Sequence, residues 1–83
     1  MIPKIKSIVP LENYQLHIIF DNKKEVIYDL TDDIKTLPNY HLLKDIPGFF
    51  HQVQLDISRT CIFWNDEIDL PSDIIYEYGK PLN

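Results

Sequence analysis

The sequence predicts an α+β fold of two layers: a mainly antiparallel sheet of about five strands with short helices on one face. Three observations carry this prediction. Apolar side chains alternate with polar ones in several stretches, as half-buried strands require. Turn signals at Asp21-Asn22-Lys23-Lys24, Ser58-Arg59 and Asn65-Asp66-Glu67 separate those stretches. Between them, Pro38, Pro47-Gly48 and Gly79 leave room only for short helices, and the chain has no Ala but abundant Ile.

Residues 4–9 form a short apolar/polar run bracketed by Pro3 and Pro10, which places this strand at an edge or ends it at Pro10. From Tyr14, the residues Leu16, Ile18 and Phe20 fall on one face and Gln15, His17, Ile19 and Asp21 on the other. Val26, Tyr28 and Leu30 resume the alternation, so a hairpin is expected. Burial favours a loop that pairs Phe20 with Val26, Ile18 with Tyr28 and Leu16 with Leu30. Thr31-Asp32-Asp33 offers a capping hydroxyl and two acids suited to a helix start, and Pro38 stops that helix. Residues 40–44 allow a second helical turn before Pro47-Gly48. A second hairpin follows, in which a two-residue turn at Ser58-Arg59 pairs Ile57 with Thr60, Leu55 with Ile62 and Val53 with Trp64. Ile68-Asp69-Leu70 adds a brief strand, and Pro71-Ser72-Asp73 opens a last helical turn ended by Gly79. The expected core is Leu16, Ile18, Phe20, Val26, Tyr28, Leu30, Val53, Leu55, Ile57, Ile62 and Trp64.

Eighty-three residues make one domain, 1–83, and Leu, Ile, Val and Phe supply 29 of them, enough for a packed core. Eight basic against thirteen acidic residues give a net charge of -5. Direct nucleic-acid binding therefore lacks its usual electrostatic source. The single cysteine, Cys61, removes an intrachain disulfide framework, and no apolar run approaches the length of a membrane span, so a cytoplasmic setting is expected.

Few residues point to chemistry. Cys61 with His17, His41 or His51 could make a thiolate nucleophile, but no local Cys-His signature surrounds them, and packing is the simpler role. Acids cluster at Asp29, Asp32 and Asp33 and again at Asp66, Glu67, Asp69 and Asp73. Both groups sit at expected turns and helix starts, which recruit Asp without any metal, and no cofactor is expected. Trp64, Phe63, Tyr40, Tyr76 and Tyr78 could stack bases, yet an acidic chain does not supply the accompanying basic groove. The informative residues are Ile19, Ile27, Cys61, Phe63 and His17, apolar positions interleaved with polar ones on the outer sheet face. If contiguous, they form an exposed apolar patch with a polar rim, the mark of a partner surface. The alternative is that the helices or the first strand cover that face.

The succession Tyr14-x-Leu16, Phe20-Asp21, Tyr28-Asp29-Leu30, Leu43-x-Asp45, Leu55-Asp56, Ile62-x-Trp64 and residues 69–76 resembles the small bacterial domains grouped as domain of unknown function (DUF) 2442. The resemblance covers nearly the whole chain and departs at Asn22, where Gly is usual, and at Asn65-Asp66-Glu67, where Pro and Gly are usual. It implies no catalytic residue. What it implies instead is an accessory or antitoxin-like role beside a small protein encoded nearby. Some members carry a C-terminal helix-turn-helix, and this sequence ends at Asn83 without one, so protein contact rather than operator binding is expected. The expected function is thus a non-enzymatic interaction module with a basic protein partner or a second copy of itself. The competing reading is a small metal-dependent hydrolase or nuclease using Asp66, Glu67 and Asp69.

Overall fold

In the computed structural model, which describes residues 2–82, the alternating stretches become strands of two antiparallel sheets. The first holds β1 (Ile5–Pro10), β2 (Gln15–Phe20), β3 (Glu25–Asp29) and β7 (Lys80–Pro81), in that order. The second holds β4 (Gln54–Leu55), β5 (Cys61–Asn65) and β6 (Ile68–Pro71), also in that order. Three helices, α1 (Thr31–Thr36), α2 (Leu42–Asp45) and α3 (Ser72–Tyr78), complete an α+β fold, with 3-10 turns at Glu12–Tyr14 and Phe49–Gln52.

The strands therefore divide between two sheets rather than forming one of about five. Arg59 marks the junction: its carbonyl accepts the Ile5 N–H at 2.8 Å, which ties the β4–β5 loop to the start of β1. Leu16, Ile18, Phe20, Val26 and Tyr28 of the first sheet join Ile62, Trp64, Ile68 and Leu70 of the second in a single hydrophobic cluster. Ile34, Leu43, Phe50 and Ile75 complete it from the helical segments.

The first hairpin has the expected faces but a different register. Ile18 pairs with Val26 and Leu16 with Tyr28, two residues closer to the turn than burial alone suggested. The loop is Asp21-Asn22-Lys23, closed by the Phe20 N–H on the Lys24 carbonyl at 2.9 Å, with Lys23 left-handed at φ 75°. A slip of two preserves every residue's face, so the core prediction survives the error. In the second hairpin Leu55 does pair with Ile62, yet Ile57 is 99% exposed instead of buried. The turn begins earlier than expected. Asp56 accepts the Ser58 N–H and hydroxyl, and its carbonyl accepts the Arg59 N–H, so residues 57–60 leave the ladder. Val53 and Leu55 pack against the core without being fully buried.

Pro38 follows the end of α1 as expected, but the Thr31 hydroxyl does not cap it. Leu30 holds the capping position, and the Asp29 carboxylate accepts the Thr31 N–H at 2.8 Å. The last helix ends at Gly79 for reasons of space. A Cβ there would lie 2.6 Å from the Ile75 carbonyl oxygen and 2.8 Å from Val26 Cγ2, so only Gly lets α3 approach β3 this closely.

Candidate functional site

The outer face of the first sheet is built by strand register. Cross-strand partners share a face, so Val9, His17, Ile27 and Lys80 form one row across β1, β2, β3 and β7. Ser7, Ile19 and Glu25 form the next. Val9 is 48% exposed; Ile19 and Ile27 are partly exposed and stand outside the core cluster. His17 and Glu25 lie diagonally between the rows, with Nε2 2.9 Å from Oε1. The result is an apolar band crossed by a polar pair.

Phe63 and Cys61 do not extend that band. They lie on the outward side of β5, in the other sheet, where Phe63 stands between Gln54 and Asp69 and Cys61 opposite Pro71. The expectation that Ile19 and Ile27 flank Phe63 assumed one sheet, and two sheets replace it. His17 and Cys61 are separated for the same reason. The Cys61 thiol points at the Ile62 carbonyl at 3.4 Å, and burial pushes its pKa up, which disfavours the thiolate. His41 meets Asp45 at 2.9 Å on α2, and His51 packs edge-on against Phe50.

The aromatic residues are likewise dispersed. Trp64 and Tyr40 are buried, Tyr76 packs edge-on against Phe20, and Tyr78 is 70% exposed. Asp66 and Glu67 are exposed in a turn whose N–H groups at Glu67 and Ile68 are accepted by Asn65 Oδ1. Among the described residues, no group of three or more His, Cys, Asp or Glu side chains is disposed to hold a metal ion. At the first helix, hydrogen bonds from the Thr31 hydroxyl and N–H hold the Asp29 carboxyl below its usual range. Burial pushes Asp33 up, although the Tyr28 hydroxyl donates to it at 3.3 Å. Local structure accounts for both acids.

The sheet edges are short, interrupted or partly capped. β1 carries a register shift between Ile5 and Ser7, meets Arg59 at Ile5, and ends at Pro10. β4 and β7 are two residues each, and β7 ends in Pro81. At β6 the Tyr40 hydroxyl donates to the Asp69 carbonyl. Short, proline-bearing or capped edges oppose strand addition, which leaves faces and protruding loops as contact surfaces.

Two clefts lie elsewhere. One of about 370 Å³ is lined by Leu11, Tyr14, Leu43, Ile46, Phe50 and His51, and beside it Asn13 and Tyr14 take left-handed conformations at φ 60° and 59°. The Tyr14 carbonyl accepts the Leu30 N–H at 2.9 Å and its ring meets Phe50 edge-on, so packing explains that strain. The other, about 660 Å³, is lined by Ile2, Pro3, Lys4, Phe20, Asp21 and Tyr76. Its wall is stiff: Lys24 Nζ lies 3.9 Å from the Tyr76 ring centroid, and Asn22 donates to the Tyr76 hydroxyl at 2.9 Å.

No known family, curated protein or solved structure matches the chain. No helix among the described residues is long and apolar enough to cross a membrane.

Sequence reasoning placed His17, Ile19 and Ile27 on one face but missed Val9 and Lys80 as their neighbours. Val9 was legible from the alternation of the first strand. Lys80 was not, because two residues after Gly79 carry no period.

Proposed function

We propose that this chain is a non-enzymatic protein-interaction module of the cytoplasm, and that the outer face of β1–β2–β3 is its main contact surface. One observation carries the reading: Val9, Ile19 and Ile27 stand on a sheet face outside the core while the sheet edges are short or interrupted. An apolar band with a polar rim on a small acidic domain suits a protein surface of complementary, basic character. The antitoxin-like or accessory role, with the partner encoded nearby, is supported by the family resemblance and by nothing else on the molecule. A second copy could use the same face through a symmetric contact.

The test is co-expression with the neighbouring gene product, followed by calorimetry on the purified pair. Wild type is expected to bind at micromolar concentration or tighter. Ile19→Glu, which places a charge in the band without touching the core, is expected to abolish binding with an unchanged melting temperature. Absence of any complex removes the reading. Loss of binding with Phe63→Glu but not with Ile19→Glu would move the site to the second sheet.

A further inference from the structure

The most exposed large apolar side chain described in the molecule is Ile57, at 99%, in the loop between β4 and β5. An exposed apolar residue on its own needs no explanation. What sets this one apart is the construction beneath it. Asp56 Oδ2 accepts the Ser58 N–H at 3.0 Å and the Ser58 hydroxyl at 2.6 Å. Ser58 Oγ in turn meets Thr60 Oγ1 at 2.8 Å and accepts the Thr60 N–H at 3.2 Å. The Asp56 carbonyl takes the Arg59 N–H at 2.8 Å, and the Asp56 N–H closes on the Cys61 carbonyl at 2.9 Å. Arg59, left-handed at φ 60°, is anchored twice outside the loop: its guanidinium meets Asp21 at 2.8 Å, and its carbonyl holds the Ile5 N–H. Hydrogen bonds thus hold the turn from 56 to 61, and the Ile57 side chain takes no part in them.

Holding an isoleucine outward in this way has no folding benefit, since the side chain buries nothing. It does lower the ordering cost of binding, because the backbone is already set and a β-branched side chain has few rotamers to lose. We propose that Ile57 is a preorganised anchor that inserts into an apolar pocket of a partner protein, the pocket being rimmed by basic groups that meet the Asp56 carboxylate. This rests on the reading of the chain as a protein-interaction module and adds the residue that fixes partner register. The charge argument selects the occupant. Arg59 is neutralised by Asp21, so the ionic group left at the tip is Asp56, held below its usual pKa by the Ser58 hydroxyl and N–H. A membrane surface fits poorly, since a carboxylate beside one aliphatic side chain is repelled by anionic headgroups. A second copy fits poorly too, because a knob meeting a different surface of its twin makes an open-ended, heterologous contact between chains of charge -5.

The experiment uses the full chain and the purified neighbouring gene product as probe, titrated by calorimetry against wild type, Ile57→Val, Ile57→Ala and Ile19→Glu. The expected result is binding about 10- to 100-fold weaker for Ile57→Ala, within about threefold of wild type for Ile57→Val, and unchanged melting temperatures for both. Equal affinity for wild type and Ile57→Ala, with loss in Ile19→Glu, overturns the anchor and leaves the module reading standing. No binding by wild type at about 100 μM overturns both. Self-association in sedimentation, or retention on phosphatidylcholine–phosphatidylglycerol vesicles, that disappears in Ile57→Ala assigns the residue to another occupant and overturns the proposal.

Discussion

Trp64 offers the most decisive check on how this core is held. It is 5% exposed, its ring stacks on Phe50 at 5.9 Å between centroids and 28° between planes, and its Nε1 donates to the Phe50 carbonyl at 2.9 Å. Two substitutions separate these contributions. Trp64→Phe keeps much of the ring contact but removes the donor, leaving a backbone carbonyl without that partner at a cost of about 1 to 3 kcal/mol. Trp64→Ala also empties the site, and its total cost, from lost transfer energy and cavity together, is about 3 to 5 kcal/mol. A chain of this length has about 4 to 12 kcal/mol in total. Urea denaturation followed by far-ultraviolet circular dichroism is the assay, because either variant removes the chain's single tryptophan and with it the fluorescence signal. With a slope of about 1 to 1.5 kcal/mol/M, Trp64→Phe lowers the midpoint by about 0.7 to 3 M. Trp64→Ala is expected to lower it by about 2 to 5 M. Coincident curves for wild type and Trp64→Phe would show that the hydrogen bond contributes nothing, and a Trp64→Ala curve equal to wild type would show that the ring is not a core element.

Two further outcomes follow from the geometry. Gly79→Ala sets a methyl 2.6 Å from the Ile75 carbonyl oxygen and 2.8 Å from Val26 Cγ2, so α3 must shift and stability is expected to fall by about 1 to 3 kcal/mol; an unchanged thermal midpoint would refute the close approach. The tyrosines predict alkaline sensitivity. Burial pushes both Tyr28 and Tyr40 up to about 12, with the Asp33 charge adding to Tyr28 and the Asp69 charge to Tyr40. Because the unfolded chain ionises near 10 while the folded one does not, their contribution is fully present below pH 10 and is lost as pH rises from 10 to 12. Denaturant titrations across that range should show a slope that is shallower in Tyr28→Phe and Tyr40→Phe. Parallel slopes for the variants and wild type would remove the tyrosines as its source.

What could be read in advance followed the range over which each signal acts. Alternation is local, so Leu16, Ile18, Phe20, Val26 and Tyr28 are buried as expected even though their hairpin register was off by two. Burial cannot distinguish registers that differ by an even number, and the left-handed Lys23 that sets this one has no obligatory residue type. Ile57 went wrong because alternation was extended into a loop whose turn is nucleated by the Asp56 side chain, a signal present in Asp56-x-Ser58. The division into two sheets depends on pairings between distant strands and had no local trace. The contact surface inherited that gap, since Phe63 was grouped with Ile19 and Ile27 on the assumption of one sheet.

The N-terminal end of β1 is fastened by groups from late in the chain. Ser72, fully buried, donates its hydroxyl to the Pro3 carbonyl at 2.6 Å across 69 residues, and Arg59 receives the Ile5 N–H. The β2–β3 and β4–β5 hairpins close within short spans of the chain, but the closure of Ser72 on Pro3 needs nearly its whole length. Closing that long span carries an entropic cost before its contacts repay it. A chain that stops short of α3 therefore lacks both the Ser72 closure on Pro3 and the β7 strand of the first sheet.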